Sequence, residues 1–387
     1  MKQCMTTFLI VFSIIFSSFA DSAPLQTIVF MRHGEKPTLD FGQLKCQGWK
    51  RSVLLPQVLL KKFGMPDYLF APFPYFQHHY FYVRGVVSLQ PLAIQLNKSM
   101  NTKYMYTEVH HFAQELLKEQ YHHATSFVLW EHFNLVFVVR EIMKQLGQNK
   151  ETIPRWHASD FDSLYVITID WSQKKPTVKF VHDYQKLNNQ SNTCPTPNPS
   201  ISRIKNQLIF IPSAESTASV DRLNCQGFNR ALALAPLLNL YYPHVDDFIL
   251  PKPKRDQTGL PFLRSLMTVE PTMIYRGGTH IPRGKETIES LATYLKSEEL
   301  INKVLVITWN IEEIGQLAQI VYKNYGGDPR EIENPVTDHD VMYEITLFSG
   351  KKPMLIKRKM RLDGQSKVCP YSIPLAESHS RVSVEIK

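Results

Sequence analysis

The chain has 387 residues, 43% of them hydrophobic and 20% charged, and a net charge of +9 from 44 Lys and Arg against 35 Asp and Glu. That length suits two domains, and the positive excess suits anionic ligands or anionic surfaces. The basic residues are scattered and only Lys351 to Arg361 forms a run. Its alternation of Lys with apolar residues reads as a solvated edge strand, so a nucleic-acid partner is not expected.

The first twenty residues, MKQCMTTFLIVFSIIFSSFA, have one Lys, an apolar core from Phe8 to Phe16, and Ser18-Phe19-Ala20 before a cut. This is the layout of a secretory signal peptide, expected to be cleaved after Ala20, with an uncleaved anchor as the alternative. No later stretch is long and apolar enough to cross a bilayer, so an exported protein, periplasmic or extracellular, without stable membrane insertion is expected. Cleavage removes Lys2, so +9 becomes +8, and it removes Cys4, leaving Cys46, Cys194, Cys225 and Cys369. An even number in an oxidising compartment favours disulfides, with three connectivities open and free buried thiols as the alternative. No Cys-x-x-Cys pair is present, which argues against a zinc or redox site.

In chain order, Thr27 to Met31 is a nearly continuous apolar run, as in a strand buried on both faces, and it stops at Arg32-His33-Gly34-Glu35. A helix is predicted from about Leu44 to Phe63, a short strand over Asp67 to Ala71, and a helix over Ser88 to Leu96 opened at Pro91. A helix over Glu108 to Glu119, a second buried strand over Thr125 to Trp130 and an amphipathic helix over Phe133 to Leu146 follow. Leu164 to Asp170 and Thr177 to His182 read as a closing hairpin. Strands alternating with helices imply a three-layer α/β/α domain with a mostly parallel sheet.

The pattern then repeats. Leu44-Lys-Cys-Gln-Gly-Trp-Lys-Arg51 recurs as Leu223-Asn-Cys-Gln-Gly-Phe-Asn-Arg230, with the cysteines 179 residues apart. PDYLFAPFP from Pro66 matches VDDFILPKP from Val245, and RGVVSLQP from Arg84 matches RSLMTVEP from Arg264. VLWEH ending at His132 matches VITWNI ending at Ile311, and SDFDSLY from Ser159 matches TDHDVMY from Thr337. Leu187 to Ser200, rich in Pro, Asn and Ser, reads as the linker. The expected organisation is a signal peptide over 1–20, a first domain over 21–198 and a second over 199–387. Equivalent cysteine placement makes Cys46–Cys194 and Cys225–Cys369 the expected pairing, one staple per domain.

Arg32 and His33 follow the first buried strand, Arg84 precedes a helix start, and Glu131-His132 follow the strand FVLW. In a doubly wound sheet the C-terminal ends of strands face one crevice, so these residues can converge there. Two Arg and two His around one point suit a compact dianion such as a phosphoryl group. Arg pairs bidentately with phosphate oxygens, a neutral His can attack phosphorus, and a second His can stabilise the equatorial oxygens.

With RHGE after a buried strand, an Arg before a Ser-x-x-Pro helix start and WEH after a later strand, the chain resembles the histidine phosphatase superfamily, the phosphoglycerate-mutase-like fold, in a tandem two-domain form. The resemblance implies that His33 is the nucleophile forming a phosphohistidine, that Arg32, Arg84 and His132 hold the phosphoryl oxygens, and that neither metal nor other cofactor is needed. It also implies a carboxylic acid that protonates the leaving oxygen. The His-Asp pair of the acid-phosphatase branch is absent, because Phe133 follows His132. Glu131 is then the first candidate, with Glu35 and Glu108 behind it.

The second half has Ile211-Pro212-Ser213-Ala214-Glu215 and Trp309-Asn310-Ile311 where the first has MRHGE and WEH. It is expected to be catalytically dead and to pack against the first domain as in a homodimer. Cys46, Arg51, Asp162 and Asp340 belong to motifs present in both halves and read as structural. His78-His79, His110-His111 and His122-His123 read as surface or core histidines, and the aromatic loop around His78 reads equally as a lining of the pocket mouth or as ordinary packing. The function expected is an exported phosphomonoesterase acting on a phosphorylated substrate. A noncatalytic phospholigand-binding protein is the alternative, and export argues against a mutase.

Overall fold

The computed structural model describes residues 25–38, 42–77, 80–194, 206–277, 282–348 and 350–370. The expected signal peptide, His78, His79 and most of the proline-rich part of the linker lie outside them. The first half runs β1 (Leu25–Arg32), α1 (Cys46–Phe63), β2 (Tyr68–Phe70), β3 (Tyr75–Gln77), β4 (Tyr80–Tyr82) and α2 (Arg84–Gln95). It continues through β5 (Met100–Asn101), α3 (Val109–Leu116), β6 (Thr125–Trp130), α4 (His132–Gln145), β7 (Ser163–Asp170) and β8 (Thr177–Tyr184). The second runs β9 (Gln207–Pro212), α5 (Cys225–Tyr241), β10 (Asp247–Pro251), α6 (Arg264–Tyr275) and β11 (Pro282–Lys285). It closes with α7 (Ile288–Tyr294), β12 (Val304–Trp309), α8 (Ile311–Asn324), β13 (Val341–Thr346) and β14 (Met354–Lys359).

Each half carries one six-stranded mixed sheet, in the orders β5-β2-β6-β1-β7-β8 and β11-β10-β12-β9-β13-β14. Strand for strand the two orders are the same. β1 lies parallel to β6 and antiparallel to β7, and β9 lies likewise between β12 and β13. The alternation of a pleated strand divides the apolar side chains between two faces. On one face Ile28, Phe30, Val128 and Trp130 pack under α3 and α4. On the other, Val29, Met31, Phe127 and Leu129 pack under α1 and α2.

That second face belongs to a core shared by both halves, into which Ile209, Ile211, Val304 and Val306 also bury, under α5 and α6. Two three-layer α/β domains therefore lie back to back across a helical seam. Trp49 and Phe228, which occupy equivalent places in the repeat, meet there edge to face with centroids 6.0 Å apart. Gln43 turns its amide nitrogen toward the fully buried Glu270 carboxyl, 3.3 Å from Oε2 and in contact with Oε1. Arg222 reaches the other way to Ser99 Oγ at 2.6 Å and to Asn97.

The disulfides are Cys46–Cys194 and Cys225–Cys369, with Cα atoms 5.6 and 4.7 Å apart. Each ties the start of a seam helix to the tail of its own half. Among the described residues no helix is long and apolar enough to cross a membrane. The basic run does form an edge strand, β14.

Five elements, α2, α3, β3, β4 and β5, differ from the sequence reading. α2 starts at Arg84, not Ser88, and Pro91 lies inside it. An internal proline removes one backbone hydrogen bond, but every residue of α2 from Arg84 to Ile94 is buried, and that packing outweighs the lost bond. α6 holds Pro271 at the equivalent place. α3 ends at Leu116 and is followed by a separate turn over Glu119–Tyr121. The β3–β4 hairpin and the two-residue β5 have no counterpart in the sequence reading, being too short for periodicity to register.

Candidate active site

The end of β1 is fixed on both sides before any functional side chain is considered. Arg32 stands in register with Trp130, and the His33 amide donates to the Trp130 carbonyl at 3.3 Å. The Gly34 amide donates to Ser88 Oγ on α2 at 2.9 Å. A Cβ on Gly34 would run into the backbone of Gly48 on α1, so this turn requires glycine for close approach.

His33 is buried, with Nδ1 2.8 Å from the Gly34 carbonyl oxygen. A carbonyl oxygen only accepts, so Nδ1 carries the proton. Burial, then the charges of Arg84 and Arg32, push the imidazole well below its ordinary value, so the ring is neutral and Nε2 keeps its lone pair.

Arg32 is pinned by Nη1, which donates to the carbonyls of Ala158 at 2.6 Å and Asp160 at 2.9 Å. Its guanidinium lies 3.7 Å from the centroid of Phe161, whose ring is 6.1 Å from that of His33. Its buried Nε has no hydrogen-bond partner among the described residues. Burial lowers Arg32 to about 10, with Glu131 opposing and Arg84 adding to the shift; the group stays charged at neutral pH. Arg84, at the first position of α2, is buried with its guanidinium 4.7 Å from the centroid of the Tyr82 ring. Tyr82 in turn stacks on Tyr106 at 5.2 Å and Tyr75 at 5.7 Å.

Glu131 is the N-cap of α4. Its carboxylate accepts from the Phe133 amide at 3.1 Å, the Asn134 amide at 2.9 Å and Asn134 Nδ2 at 2.9 Å. His132 Nδ1 lies 2.5 Å from Glu131 Oε1. Burial alone would raise Glu131, but these contacts, His132 foremost, outweigh it and hold the carboxyl at about 2. His33, Arg32, Arg84, Glu131 and His132 thus gather where β1 and β6 end; His33 and Arg32 both feel the charges of Arg84 and Glu131, and His33 also that of Arg32.

The remaining carboxyls differ. Glu35 is buried against Arg51, 2.7 Å from Nη2, and Arg51 Nη1 also meets Asp162 at 2.9 Å. The second half repeats this cluster as Glu215, Arg230 and Asp340, at 2.7 and 3.1 Å. A cluster kept where His33 is missing holds the turn after the strand. Glu108 lies on the segment between β5 and α3 and accepts from the Met105 amide at 2.7 Å. The histidine pairs are dispersed: His110 contacts Glu141 at 3.0 Å and His122 stacks on Trp171 at 3.6 Å.

In the second domain Pro212 stands in register with Trp309, as Arg32 does with Trp130. Ser213 takes the place of His33, and the Ala214 amide donates to Thr268 Oγ1 at 2.9 Å as Gly34 does to Ser88. Arg264 is turned onto the carbonyls of Thr217 and Ser219, both at 3.1–3.2 Å. The sequence reading missed Phe161 and the hydroxyl role of Ser88. The pairing of Ser88 with Thr268 at equivalent places was an available signal. Phe161 left none, because its counterpart is His339, which bonds the Ser213 carbonyl instead.

No protein-family model and no curated protein matches the chain. Solved structures similar to it include a protein histidine phosphatase SixA complexed with tungstate, at 16% identity over 41% of this chain and 97% of that one, TM-score 0.30. Another is a mutant phosphoserine phosphatase from Entamoeba histolytica in complex with phosphoserine, at 10% identity over 42% and 98%, TM-score 0.24.

Proposed function

We propose that the chain is an exported phosphomonoesterase working through a phosphohistidine at His33, without a metal, in the first of two domains. The observation that carries this reading is the hydrogen bond from His33 Nδ1 to Gly34, which leaves Nε2 as the free nucleophile between two arginines. Nε2 attacks phosphorus, the bond to the leaving oxygen breaks, and the phosphoryl group passes to the ring. Water then attacks the phosphohistidine, returning the electron pair to Nε2 and releasing phosphate. Arg32, Arg84 and His132 take the non-bridging oxygens, whose charge they stabilise in both steps.

We give Glu131 the task of holding His132, and not that of proton donor. A carboxyl at about 2 is ionised at neutral pH and has no proton to give. Glu35 is committed to Arg51, so Glu108 is the candidate that remains for the leaving oxygen. The two disulfides, one per domain, support an oxidising compartment and with it the reading of the first twenty residues as a signal peptide.

The test is hydrolysis of an aryl phosphate by the mature chain beside His33→Ala. Turnover abolished by the substitution, with acid-labile phosphate trapped on His33 in the parent, is the expected result. Equal low rates in both, with vanadate still bound, would mean that the cradle binds oxyanions without turning them over, as a phospholigand-binding protein does.

A further inference from the structure

We propose that Arg255, carried by the second domain, is a positioning residue for the phosphate site of the first. The proposal rests on the phosphatase reading and adds a role for the domain that lacks the nucleophile.

Arg255 lies on the loop between β10 and α6. Nη2 crosses the seam and donates to the carbonyl oxygens of Thr102 at 2.6 Å and Lys103 at 2.9 Å. The guanidinium sits 4.3 Å from the centroid of the first domain's Phe73 ring. Nη1 donates back to Gly259 at 3.1 Å, inside a turn that Asp256 ties to Thr258 and Leu260. The arginine is therefore braced in its own domain before it touches the other one.

What it grips leads to the site. Phe73 donates its amide to the Tyr104 carbonyl at 2.8 Å, which joins the two segments that Arg255 contacts. Two residues on, the Tyr106 carbonyl accepts from Trp130 Nε1 at 2.9 Å, and the Tyr106 ring stacks on Tyr82, over which Arg84 lies. Glu108 is on the same segment and within electrostatic reach of Arg255. β11 of the second domain packs against β4, the strand that bears Tyr82. The wall that supports Arg84 is thus clamped from the second domain at both ends.

Inheritance from the duplication does not account for Arg255. At the equivalent place the first half has its aromatic loop, Pro72 to Tyr82, with no arginine in it. The residue belongs to the second half alone, in a loop that reaches across the seam to the carbonyls of Thr102 and Lys103 and to Phe73.

The experiment compares the mature chain with Arg255→Ala, Arg255→Lys and, as a same-loop control, Lys254→Ala. The readouts are amide exchange, vanadate affinity, and kcat and KM on an aryl phosphate. In Arg255→Ala, exchange at residues 102–108 should quicken by about tenfold. KM and the vanadate dissociation constant should rise together by about 3- to 10-fold, with kcat changed less and His33 still phosphorylated. Arg255→Lys, which can reach one carbonyl but cannot stack on Phe73 in the same way, should recover part of the loss and keeps the test open if the alanine variant folds poorly. Unchanged exchange, or quicker exchange with unchanged KM and vanadate affinity, overturns the proposal and leaves the phosphatase reading standing. A parent chain that neither turns over aryl phosphate nor binds vanadate overturns that reading, and this proposal falls with it.

Discussion

At His33 one hydrogen bond decides what the ring can do: with the proton held on Nδ1 by Gly34, a neutral imidazole has only Nε2 to offer. Glu131 and Glu108 are separated by the same kind of reasoning. Glu131→Gln should leave the cap partly formed but remove the charge opposite His132, lowering kcat/KM by about tenfold for all esters alike. It should also change the acid limb of stability. The folded-state value, about 2, lies below the ordinary 4.5, so the carboxylate's contribution is complete above 4.5 and is lost as pH falls toward 2. Urea midpoints measured from pH 7 to pH 2 should therefore drop less steeply over that window in Glu131→Gln than in the parent. Glu108→Gln should discriminate between substrates. Loss of a proton donor costs about 100-fold in kcat on an alkyl phosphate but only about 3-fold on an aryl phosphate whose oxygen leaves unaided. Equal losses on both esters would remove Glu108 from the reaction.

At the scale of elements, the seam helices are where the two halves stop being copies. Glu270 on α6 is completely buried, and burial pushes its carboxyl up to about 8, with the Gln43 amide pulling the other way. Its folded value lies above the ordinary one, so stability is greatest below about 4.5 and declines as pH rises toward 8, where the folded state also ionises. Glu270→Gln keeps an amide for Gln43 to meet and cannot ionise. Its melting temperature should match the parent's near pH 5 and exceed it near pH 8, by differential scanning calorimetry at both values. The first domain has Gln90 at the equivalent place, so this pH dependence belongs to one half only. The long elements are legible in the sequence because their patterns are long: β6 and the α1 run announce themselves by apolar content and spacing. The repeat then doubled each of these signals. The β3–β4 hairpin and β5 were not legible, since two or three residues have no period, and Pro91 misled because tertiary burial overrode a local rule. At the candidate site, Arg32, His33, Arg84 and His132 stand at the ends of predicted elements, which is what makes them readable as candidates. Phe161 and Arg255 are not readable in this way, because what matters about them is a contact 129 and 153 residues away, with Arg32 and Thr102.

For the whole molecule, the proposal makes one of two like domains silent, and a designed revival tests it. His33→Ala with Ser213→His moves the nucleophile to the second domain, where the Ser213 amide already bonds the Trp309 carbonyl at 2.8 Å as His33 does with Trp130. Strand register, the hydroxyl beneath the turn and the Glu215–Arg230–Asp340 cluster are all in place there. If a histidine at the end of the strand were sufficient, the double variant would hydrolyse aryl phosphate. We expect none above background, for three separable reasons. Pro212 supplies no guanidinium where Arg32 stood, Arg264 is bound to the carbonyls of its own loop, and Asn310-Ile311 replace Glu131-His132. A phosphoryl group there would meet one nucleophile but neither the Arg32 nor the Arg84 contact, while each oxyanion contact in such a site carries a factor of roughly 100 or more in rate. Adding Pro212→Arg and Ile311→His should restore vanadate binding before it restores turnover. Activity in the double variant alone would show that the fold, and not the charge set around His33, carries the catalysis.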